Sequence, residues 1–447
     1  MSLFRKINKK GNNTINASGD AGVSLAQPKP KIPWLAVFAL AMGMLVFGVA
    51  ESYGPVFAIT NVIPSQYYYL SLSAGFIAGG FGALLAGILT DKLGRRRTFL
   101  LVAAMIFIGI LIYLAAPKNV YAIVVSFVLV GMAAIGMETP ILTAISESIS
   151  AKYRGNMLVI VQNFGGIGDA LVFIPAIIGL AYAQAELAYA ILILAPLIAL
   201  VVGYFAIEES LPWKAASQKE IKVEEAWQKI DAQTADVVKP TLGLWSRWSL
   251  ITLLGIVQDV AFVWIVYDIG YLYFTNYSAM IPLLNTFAEA IVGILFGVFI
   301  VHKLSRKSST LIAYGILFGF WIVFWLYVLL TGDFSSLAIL IFAVLLAIPV
   351  ELTWAVRALL EPEVFPTAKR GSFISYARTA VWIVAGFITM LLSIYFQPSS
   401  TSQLLSYFNI SSAIVAAIFL IGVIVAIIWR VKGFETGGKS LLGHDIA

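Results

Sequence analysis

The sequence predicts an all-α membrane protein with twelve transmembrane helices arranged as two pseudo-symmetric six-helix bundles. Three observations support this fold class: an apolar composition, twelve apolar runs long enough to span a bilayer, and an internal repeat. Of the 447 residues, 60% are hydrophobic and 12% are charged, whereas soluble domains carry about 25% charged residues. We therefore expect the chain to fold within a lipid bilayer.

The composition also excludes several classes of function. The net charge is +6, but the basic residues lie in short segments between apolar runs and not in the stripe typical of nucleic-acid binding. Cysteine is absent, and His302 and His444 have no metal-ligand neighbours in the sequence, so we expect no metal site. No nucleophile elbow or phosphate-binding loop is visible. We expect neither an enzyme nor a cofactor.

Runs of about 20 apolar residues, enough to cross a bilayer as a helix, occur twelve times. The predicted spans are 33–58, 66–90, 98–117, 119–147, 155–183, 187–208, 246–274, 278–302, 308–331, 335–360, 371–396 and 404–430. Of the 29 Lys and Arg residues, 26 lie on one side of these spans. Because Lys and Arg collect in cytoplasmic loops, we expect a multi-pass plasma-membrane protein with both termini in the cytoplasm.

The hydrophilic segments predict the domain organisation. Residues 1–32 are polar and are expected to form a cytoplasmic tail without a cleavable signal peptide. The N-terminal bundle is predicted at 33–208 and the C-terminal bundle at 246–432. A cytoplasmic linker with a helix-prone stretch joins them at 209–245, and residues 433–447 form a short cytoplasmic tail.

An internal repeat relates the two predicted bundles. Glu147 lies seven residues before Arg154 after the fourth span, and Glu363 lies seven residues before Arg370 after the tenth. Parallel repeats of this kind are common in transporters. We predict that each Glu/Arg pair forms a salt bridge that closes the cytoplasmic mouth and breaks when the mouth opens. The alternative is a static surface pair of little energetic value.

The loop between the second and third spans carries the most specific motif. It reads Gly87-Ile-Leu-Thr-Asp91-Lys-Leu-Gly94-Arg95-Arg96-Arg97. Gly94 permits a sharp reversal, and Asp91 lies among cations that it can hold together or release. The corresponding loop of the second half, around His302, keeps its basic residues but lacks the acid. We therefore predict a gating role for Gly87, Asp91, Gly94, Arg95 and Arg96.

These motifs resemble those of the major facilitator superfamily. The Gly87–Arg97 stretch is similar to the superfamily's loop between helices two and three. The stretch Gly131-Met-Ala-Ala-Ile-Gly136-Met-Glu138-Thr-Pro140 is similar to a helix-four signature of sugar porters and of proton-coupled phosphate and organic-anion symporters. The seventh span, with Trp264-Ile-Val-Tyr-Asp268-Ile-Gly-Tyr271, resembles that of the phosphate:proton branch. The chain departs from that branch at two positions, since the branch usually has Asp where this chain has Glu138 and Lys where it has Arg378. The resemblance implies a transporter that works by alternating access.

Ionisable residues inside the spans are functional candidates, because each costs roughly 2.5–3.5 kcal/mol to insert. We predict proton coupling for Glu51, Glu138 and Asp169, because burial disfavours a charged carboxyl and allows proton exchange. The resemblance also places Glu51 near an acid of proton-coupled relatives. In the structural alternatives, Glu51 is hydrogen-bonded to a neighbouring helix, Glu138 is a partner of Arg378 or Arg357, and the region of Asp169 serves helix packing.

Gln162 and Arg378 are the main predicted substrate contacts. Each lies eight residues beyond an Arg-Gly pair, about 12 Å along a helix, so the repeat places them at equal depth. Gln162 suits hydroxyls and Arg378 suits a carboxylate or phosphate; alternatively, Arg378 forms a buried ion pair with an acid such as Glu289 or Asp268. The further predicted substrate contacts are Asp259, Asp268, Glu289, Trp264 and Trp382. The two tryptophans could stack on a sugar or anchor helix ends at the interface.

The predicted function is proton-coupled symport of a small polar solute: a sugar, a sugar acid, an organic acid or phosphate. The expected partners are the solute, protons and lipid, with no nucleic acid, and we expect a monomer. A proton-independent sugar uniporter is the alternative, and a non-transporting sensor is a third. Arg357 and Glu361, four residues apart on the tenth span, are predicted to form a structural pair.

Overall fold

A computed structural model describes residues 33–59, 75–178, 193–218, 221–231 and 236–445, and the structural statements below concern these residues. They are almost entirely helical. The described β-structure is one isolated parallel bridge, between Val237 and Ser440. The predicted N-terminal tail lies outside the described residues, as do the start of the second span and the loop between the fifth and sixth spans.

Eleven of the described helices are long and apolar enough to cross a membrane, and a sharply bent pair supplies a twelfth. We number the membrane helices in chain order. They are α1 (Trp34–Glu51, continued by Tyr53–Ile59), α2 (Gly75–Leu93), α3 (Arg95–Ala115), α4 (Val120–Ser148), α5 (Ala151–Gln162, continued by Phe164–Ile177), α6 (Leu194–Ala206), α7 (Leu244–Phe262, continued to Leu272), α8 (Met280–Phe299), α9 (Arg306–Thr331), α10 (Leu337–Glu363), α11 (Arg370–Tyr395) and α12 (Thr401–Lys432). The predicted count of twelve is confirmed.

Three membrane helices are interrupted near the middle of the bundle. The helical run of α1 breaks at Ser52, because Pro55 has no N–H to donate to Glu51 and its ring crowds that carbonyl. In α5 the interruption falls at Asn163, and in α7 a π-helical segment covers Val263–Asp268. Such irregular turns often accompany functional sites.

Small residues allow helices to approach closely, as the glycine-rich run of α5 predicts. A Cβ on Gly168 would lie 2.1 Å from the Leu45 carbonyl oxygen of α1. Between the bundles, a Cβ on Gly87 of α2 would lie 2.2 Å from Ser375 Oγ of α11. Only glycine fits at these two positions without displacing a neighbour.

The linker and the C-terminal tail pack against one face of the membrane helices. We call this the basic face, and it is defined by Arg95, Arg154, Arg306 and Arg370, which all lie in the first turns of helices there. A short linker helix, Val223–Ile230, lies on this face. The tail lies beside it and ends in the helix Leu442–Asp445, with Trp227 Nε1 donating to Asp445 Oδ2 at 3.0 Å. The sequence predicted the helix-prone linker stretch but no structure for the tail.

Candidate transport site and gate

A buried ion cluster centred on Glu147 joins the two bundles at the basic face. Glu147, in the last turn of α4, lies 2.7 Å from Arg95 Nη2 of α3 and 2.6 Å from Arg370 Nη1 of α11. Ser210 Oγ donates to the same carboxylate at 2.5 Å. The Glu147 side chain is fully buried. Because Arg370 belongs to the C-terminal bundle, this cluster links the two bundles at the basic face.

The predicted pairing within each repeat is wrong. Arg154 does not pair with Glu147; it lies 3.3 Å from Asp231 of the linker. Glu363 pairs with Arg306 at 3.0 Å and not with Arg370. The seven-residue spacing crosses a helix end, so it brings the two residues to one face without directing their side chains at each other. In each half, the glutamate instead meets the arginine that begins the preceding long helix of its own bundle.

The side chain of Asp91 contacts the start of α11 in the opposite bundle. Its carboxylate accepts hydrogen bonds from the N–H groups of Gly371 and Ser372, at 3.1 and 2.7 Å, and from Ser372 Oγ at 2.7 Å. Asp91 Oδ1 also lies 3.6 Å from Arg95 Nη1. An acid at the start of α11 satisfies free N–H groups and opposes the helix dipole. Asp91 therefore ties α2 to α11 when this face is closed.

Two further gate candidates, Gly94 and Arg96, lie within the N-terminal half. Gly94 has a φ angle of +100° and lies immediately before α3, which confirms the predicted reversal. Arg96 Nη2 donates to the Tyr204 carbonyl of α6 at 2.5 Å, and its described contacts do not reach the C-terminal bundle. In the linker, Asp231 accepts from Ala151 N at the start of α5 at 2.7 Å. The gating roles stay predictions.

A second ion cluster lies in the membrane interior around Arg378. The guanidinium of Arg378 donates through Nη1 to Glu138 of α4, and through Nη2 and Nε to Glu361 Oε2 at 2.5 and 2.8 Å. All three side chains are fully buried. The partner is thus Glu138, one of the alternatives for that acid, and neither Glu289 nor Asp268.

Arg357 extends this cluster toward α7. Its Nη1 lies 2.5 Å from Asp259 Oδ1 and also donates to Gln258. Its Nε lies 2.8 Å from Glu361 Oε1, an ion pair in which the N–H does not point at the oxygen. The predicted Arg357–Glu361 pair is confirmed. Together with Glu138 and Arg378, these residues form a chain of alternating charges that crosses from one bundle to the other.

Several buried polar groups near the centre have no hydrogen-bond partner among the described residues. Both side-chain atoms of Gln162 are in this state, although Gln162 is fully buried. The other such atoms on predicted proton-coupling and substrate residues are Glu138 Oε1, Asp169 Oδ2, Asp259 Oδ2, Glu289 Oε1 and Oε2, Trp264 Nε1 and Trp382 Nε1. Each unsatisfied buried group costs about 1–3 kcal/mol. Both tryptophans lie in the protein interior, so the alternative of interfacial anchors does not hold for them.

The bundles also meet on the side opposite the basic face. At the break in α1, Ser52 Oγ donates to Asp169 Oδ1 of α5 at 2.6 Å and lies 2.9 Å from Tyr267 Oη of α7. Nearby, the ring of Phe76 of α2 stacks on Trp382 of α11, with centroids 5.3 Å apart. The central cluster is therefore enclosed from both sides.

Glu51, Asp268 and Glu289 occupy three different surroundings. Glu51 is 6% exposed and has no hydrogen bond or ion pair to a described residue; it lines a small cavity with Tyr53. Asp268 accepts from Ser393 Oγ at 3.2 Å. Glu289 lies on α8, away from the Arg378 contacts.

Sequence reasoning missed Asp231, Arg306, Ser52, Tyr267 and Asn163. The internal repeat could have predicted Arg306, since it starts α9 as Arg95 starts α3. The others carry no motif: Asp231 depends on how the linker docks, and Asn163 depends on a break in α5 that no proline marks.

Two membrane bundles that enclose a buried polar cluster, with contacts between the bundles on either side of it, are typical of secondary transporters. The chain belongs to the Major Facilitator Superfamily, whose sequence profile matches residues 33–390. This confirms the predicted fold class, and it identifies a transporter and not an enzyme.

Known proteins of similar sequence include sugar transporters. The chain is 26% identical over 436 residues to the glucose transporter GlcP of Staphylococcus epidermidis, covering 90% of this chain and 94% of that protein. It is 27% identical over 203 residues to the galactose-proton symporter of Escherichia coli, covering 45% and 43% of the two chains. The structure of the proton:xylose symporter XylE bound to 6-bromo-6-deoxy-D-glucose has TM-score 0.73 and 19% identity, covering 93% of this chain and 98% of that one.

Proposed function

We propose that this chain is a proton-coupled symporter that carries a neutral sugar across the plasma membrane by alternating access. The basic face would be cytoplasmic, since it carries the Lys and Arg residues of the loops. In this arrangement the cytoplasmic mouth is closed by the Glu147 cluster and by Asp91. The similarity to GlcP, to the galactose-proton symporter and to XylE supports a sugar as the substrate.

The pairing of Arg378 with two carboxylates is the observation that favours a neutral substrate. Its Nε, Nη1 and Nη2 already donate to the carboxylates of Glu138 and Glu361. A carboxylate or phosphate ligand would have to displace one of these acids, and would add negative charge beside the remaining ones. The free fork that favoured a sugar acid, an organic acid or phosphate is therefore not available.

The unpaired polar groups match a hydroxyl-rich ligand. Gln162 offers a donor and an acceptor, Trp264 and Trp382 each offer an N–H donor, and Asp259 Oδ2 offers an acceptor. A sugar hydroxyl both donates and accepts, so one sugar could satisfy groups of both kinds. Aromatic rings beside these donors also suit the apolar face of a pyranose.

Glu51 is the proposed proton carrier of the central site. It has no ion-pair partner among the described residues, and it lies within electrostatic range of three other acids, Asp169, Asp259 and Glu138, against one cation, Arg357. A proton on Glu51 would relieve this excess of negative charge. Its place beside the break in α1 would couple protonation to movement of that helix.

The test is uptake of labelled glucose, galactose or xylose into proteoliposomes with and without an inward proton gradient. We expect accumulation only with the gradient, and exchange without accumulation in Glu51→Gln. Glu208→Gln, an exposed acid outside the site, serves as the control. Unchanged accumulation in Glu51→Gln would overturn the role of Glu51. Competition by gluconate or phosphate equal to that by unlabelled sugar would overturn the neutral substrate.

A proton-independent sugar uniporter is the second candidate. The observation that favours it is the pairing of Glu138, Glu361 and Asp259 with arginines, which can serve structure alone. In that case the sugar would equilibrate without accumulating, and Glu51→Gln would have no effect on the final internal concentration.

A further inference from the structure

A second group of buried acids lies away from the Arg378 cluster, where α5 meets α8 and α10. It consists of Glu289 on α8, Glu351 on α10 and Asn163 at the break in α5, and each is 0% exposed. Asn163 Nδ2 donates to Glu351 Oε1 at 2.9 Å and to the Val159 carbonyl at 2.8 Å. Both donor positions of the amide are thus used, and Glu351 is held from the N-terminal bundle.

The remaining polar atoms of this group are all acceptors. Glu289 Oε1 and Oε2, Glu351 Oε2 and Asn163 Oδ1 are buried and have no donor among the described residues. Two buried carboxylates without a cation would cost several kcal/mol each. A proton on either carboxyl would remove one charge and create the O–H donor that the neighbouring acceptors lack.

The titratable groups around Glu289 reinforce the shortage of positive charge. Glu351 faces it from α10, Asp169 from α5 and Tyr267 from α7. None of these groups is a cation. Arg357 lies on the same helix as Glu351, but its described contacts are with Asp259, Glu361 and Gln258.

The group also lies on the interface that must move during transport. Asn163 belongs to the N-terminal bundle, and it packs against Gly293 of α8 so tightly that a Cβ there would lie 2.0 Å from its Nδ2. One turn beyond, Gly166 meets the Thr286 carbonyl, 3.0 Å from a Cβ placed on the glycine. Separation of α5 from α8 and α10 would break the Asn163–Glu351 hydrogen bond and admit water to both acids.

We propose that Glu289 and Glu351 form a second proton-binding site, so that two protons accompany each sugar. The inference rests on the proposed function, in which the first proton is carried at Glu51. One proton binds the Glu289–Glu351 pair as a carboxyl O–H and leaves when the interface opens to the other side. Asn163 is a positioning residue, since it holds Glu351 and does not itself exchange a proton.

The accumulation ratio at zero membrane potential counts the protons. With valinomycin and equal K⁺ on both sides, each coupled proton allows about tenfold accumulation per pH unit, because a tenfold ratio corresponds to about 1.4 kcal/mol. With a gradient of about one pH unit, we expect about 100-fold accumulation for the wild type and about tenfold for Glu289→Gln and Glu351→Gln. Glu225→Gln, on the exposed side of the linker helix, is the control and should keep the wild-type ratio. Glu289→Asp retains a carboxyl and should restore the second proton.

The outcomes separate this inference from the proposed function. Wild-type protein that never accumulates sugar would overturn the proposed function. A wild-type ratio of about tenfold, or a ratio of about 100-fold in both Gln variants, would overturn only the second site. Accumulation driven by a Na⁺ gradient at equal pH would replace the proton with a metal cation and overturn it as well.

A second measurement covers variants that bind sugar but do not transport it. Sugar is added to purified protein in weakly buffered detergent solution, and proton uptake is followed with a pH dye. We expect Glu289→Gln to take up about half as many protons per bound sugar as the wild type. Equal uptake by the two proteins would contradict the second site.

Discussion

Glu147 of the N-terminal bundle lies 2.6 Å from Arg370 of the C-terminal bundle, and both side chains are fully buried. Arg95 approaches the same carboxylate from the N-terminal side at 2.7 Å. One acid therefore holds together the start of α3, the end of α4 and the start of α11. Because a buried charge left without its partner costs about 3–5 kcal/mol, this cluster is a strong contributor to the closed state.

Replacement of Glu147 by Gln should open the basic face. The loss of one partner leaves Arg95 and Arg370 buried and mutually repulsive, and we expect the closed state to weaken by about 3 kcal/mol, or roughly 100-fold in population. The chain has no cysteine, so Ser375→Cys gives a single label site on the interface face of α11. Labelling from the basic side by a charged thiol reagent should become faster in Glu147→Gln.

The control for that experiment is Glu208→Gln in the same Ser375→Cys background, since Glu208 is exposed and outside the cluster. Equal labelling rates in Glu147→Gln and Glu208→Gln would show that the cluster does not keep this face closed.

A side chain at Gly87 should act as a wedge at the same interface. In Gly87→Ala the new Cβ would meet Ser375 Oγ at 2.2 Å and the Gly371 carbonyl at 2.5 Å. Overpacking of this kind typically costs about 1–3 kcal/mol, and we expect a lower transport rate and faster labelling from the basic side. Removal of the opposing side chain in Gly87→Ala/Ser375→Gly should restore part of the rate, measured by initial sugar uptake. No gain over the single variant would argue against a steric cause.

Arg378 should matter for stability as well as for transport. Arg378→Gln leaves Glu138 without a cation in the bundle interior and Glu361 with Arg357 alone, and we expect a loss of about 3–5 kcal/mol. The melting temperature in detergent, followed by tryptophan fluorescence, should fall. The double variant Arg378→Gln/Glu138→Gln removes the uncompensated charge and should melt above the single variant. The reverse order would mean that the charges are not what the arginine stabilises.

The fold and the repeat could be predicted from the sequence, but the pairing of the charges could not. Apolar runs and Lys/Arg asymmetry report on single helices, and the Glu147/Glu363 repeat reports on symmetry. The partner of Arg154 depends on Asp231 in the linker, and that of Arg370 depends on how the two bundles meet. Neither relationship leaves a periodic signal. Likewise, Glu361 in the last turn of α10 and Arg378 in α11 are 17 residues apart in the sequence, and no spacing rule connects them.

The docked C-terminal tail should loosen as the pH falls. His444 is buried outside the membrane-spanning helices; Nε2 lies 2.8 Å from the Glu363 carbonyl oxygen and Nδ1 lies 3.3 Å from Arg247 Nη1. Burial, with smaller effects from Arg370 and Arg247, lowers the pKa of His444 to about 3. The docked form therefore keeps a neutral imidazole, while the undocked tail takes up a proton near its ordinary pKa of about 6.5.

The stability of docking should consequently be full above about pH 6.5 and decrease as the pH falls toward 3. Hydrogen exchange of the 436–445 amides, corrected for intrinsic rates, should be faster at pH 5 than at pH 7. His444→Gln cannot be protonated and should show the same protection at both values. A wild-type tail with equal protection at the two pH values would contradict the assignment to His444.

The coupling of sugar movement to proton movement is the central claim, and one measurement tests it directly. Proteoliposomes that contain a pH-sensitive dye, with no initial ion gradient and with the potential clamped, are given an external sugar such as glucose or xylose, and sugar entry is followed in parallel. We expect the interior to acidify as the sugar enters, and Glu51→Gln to abolish the acidification. Sugar entry at an undiminished rate without any change of internal pH would contradict symport and identify a uniporter.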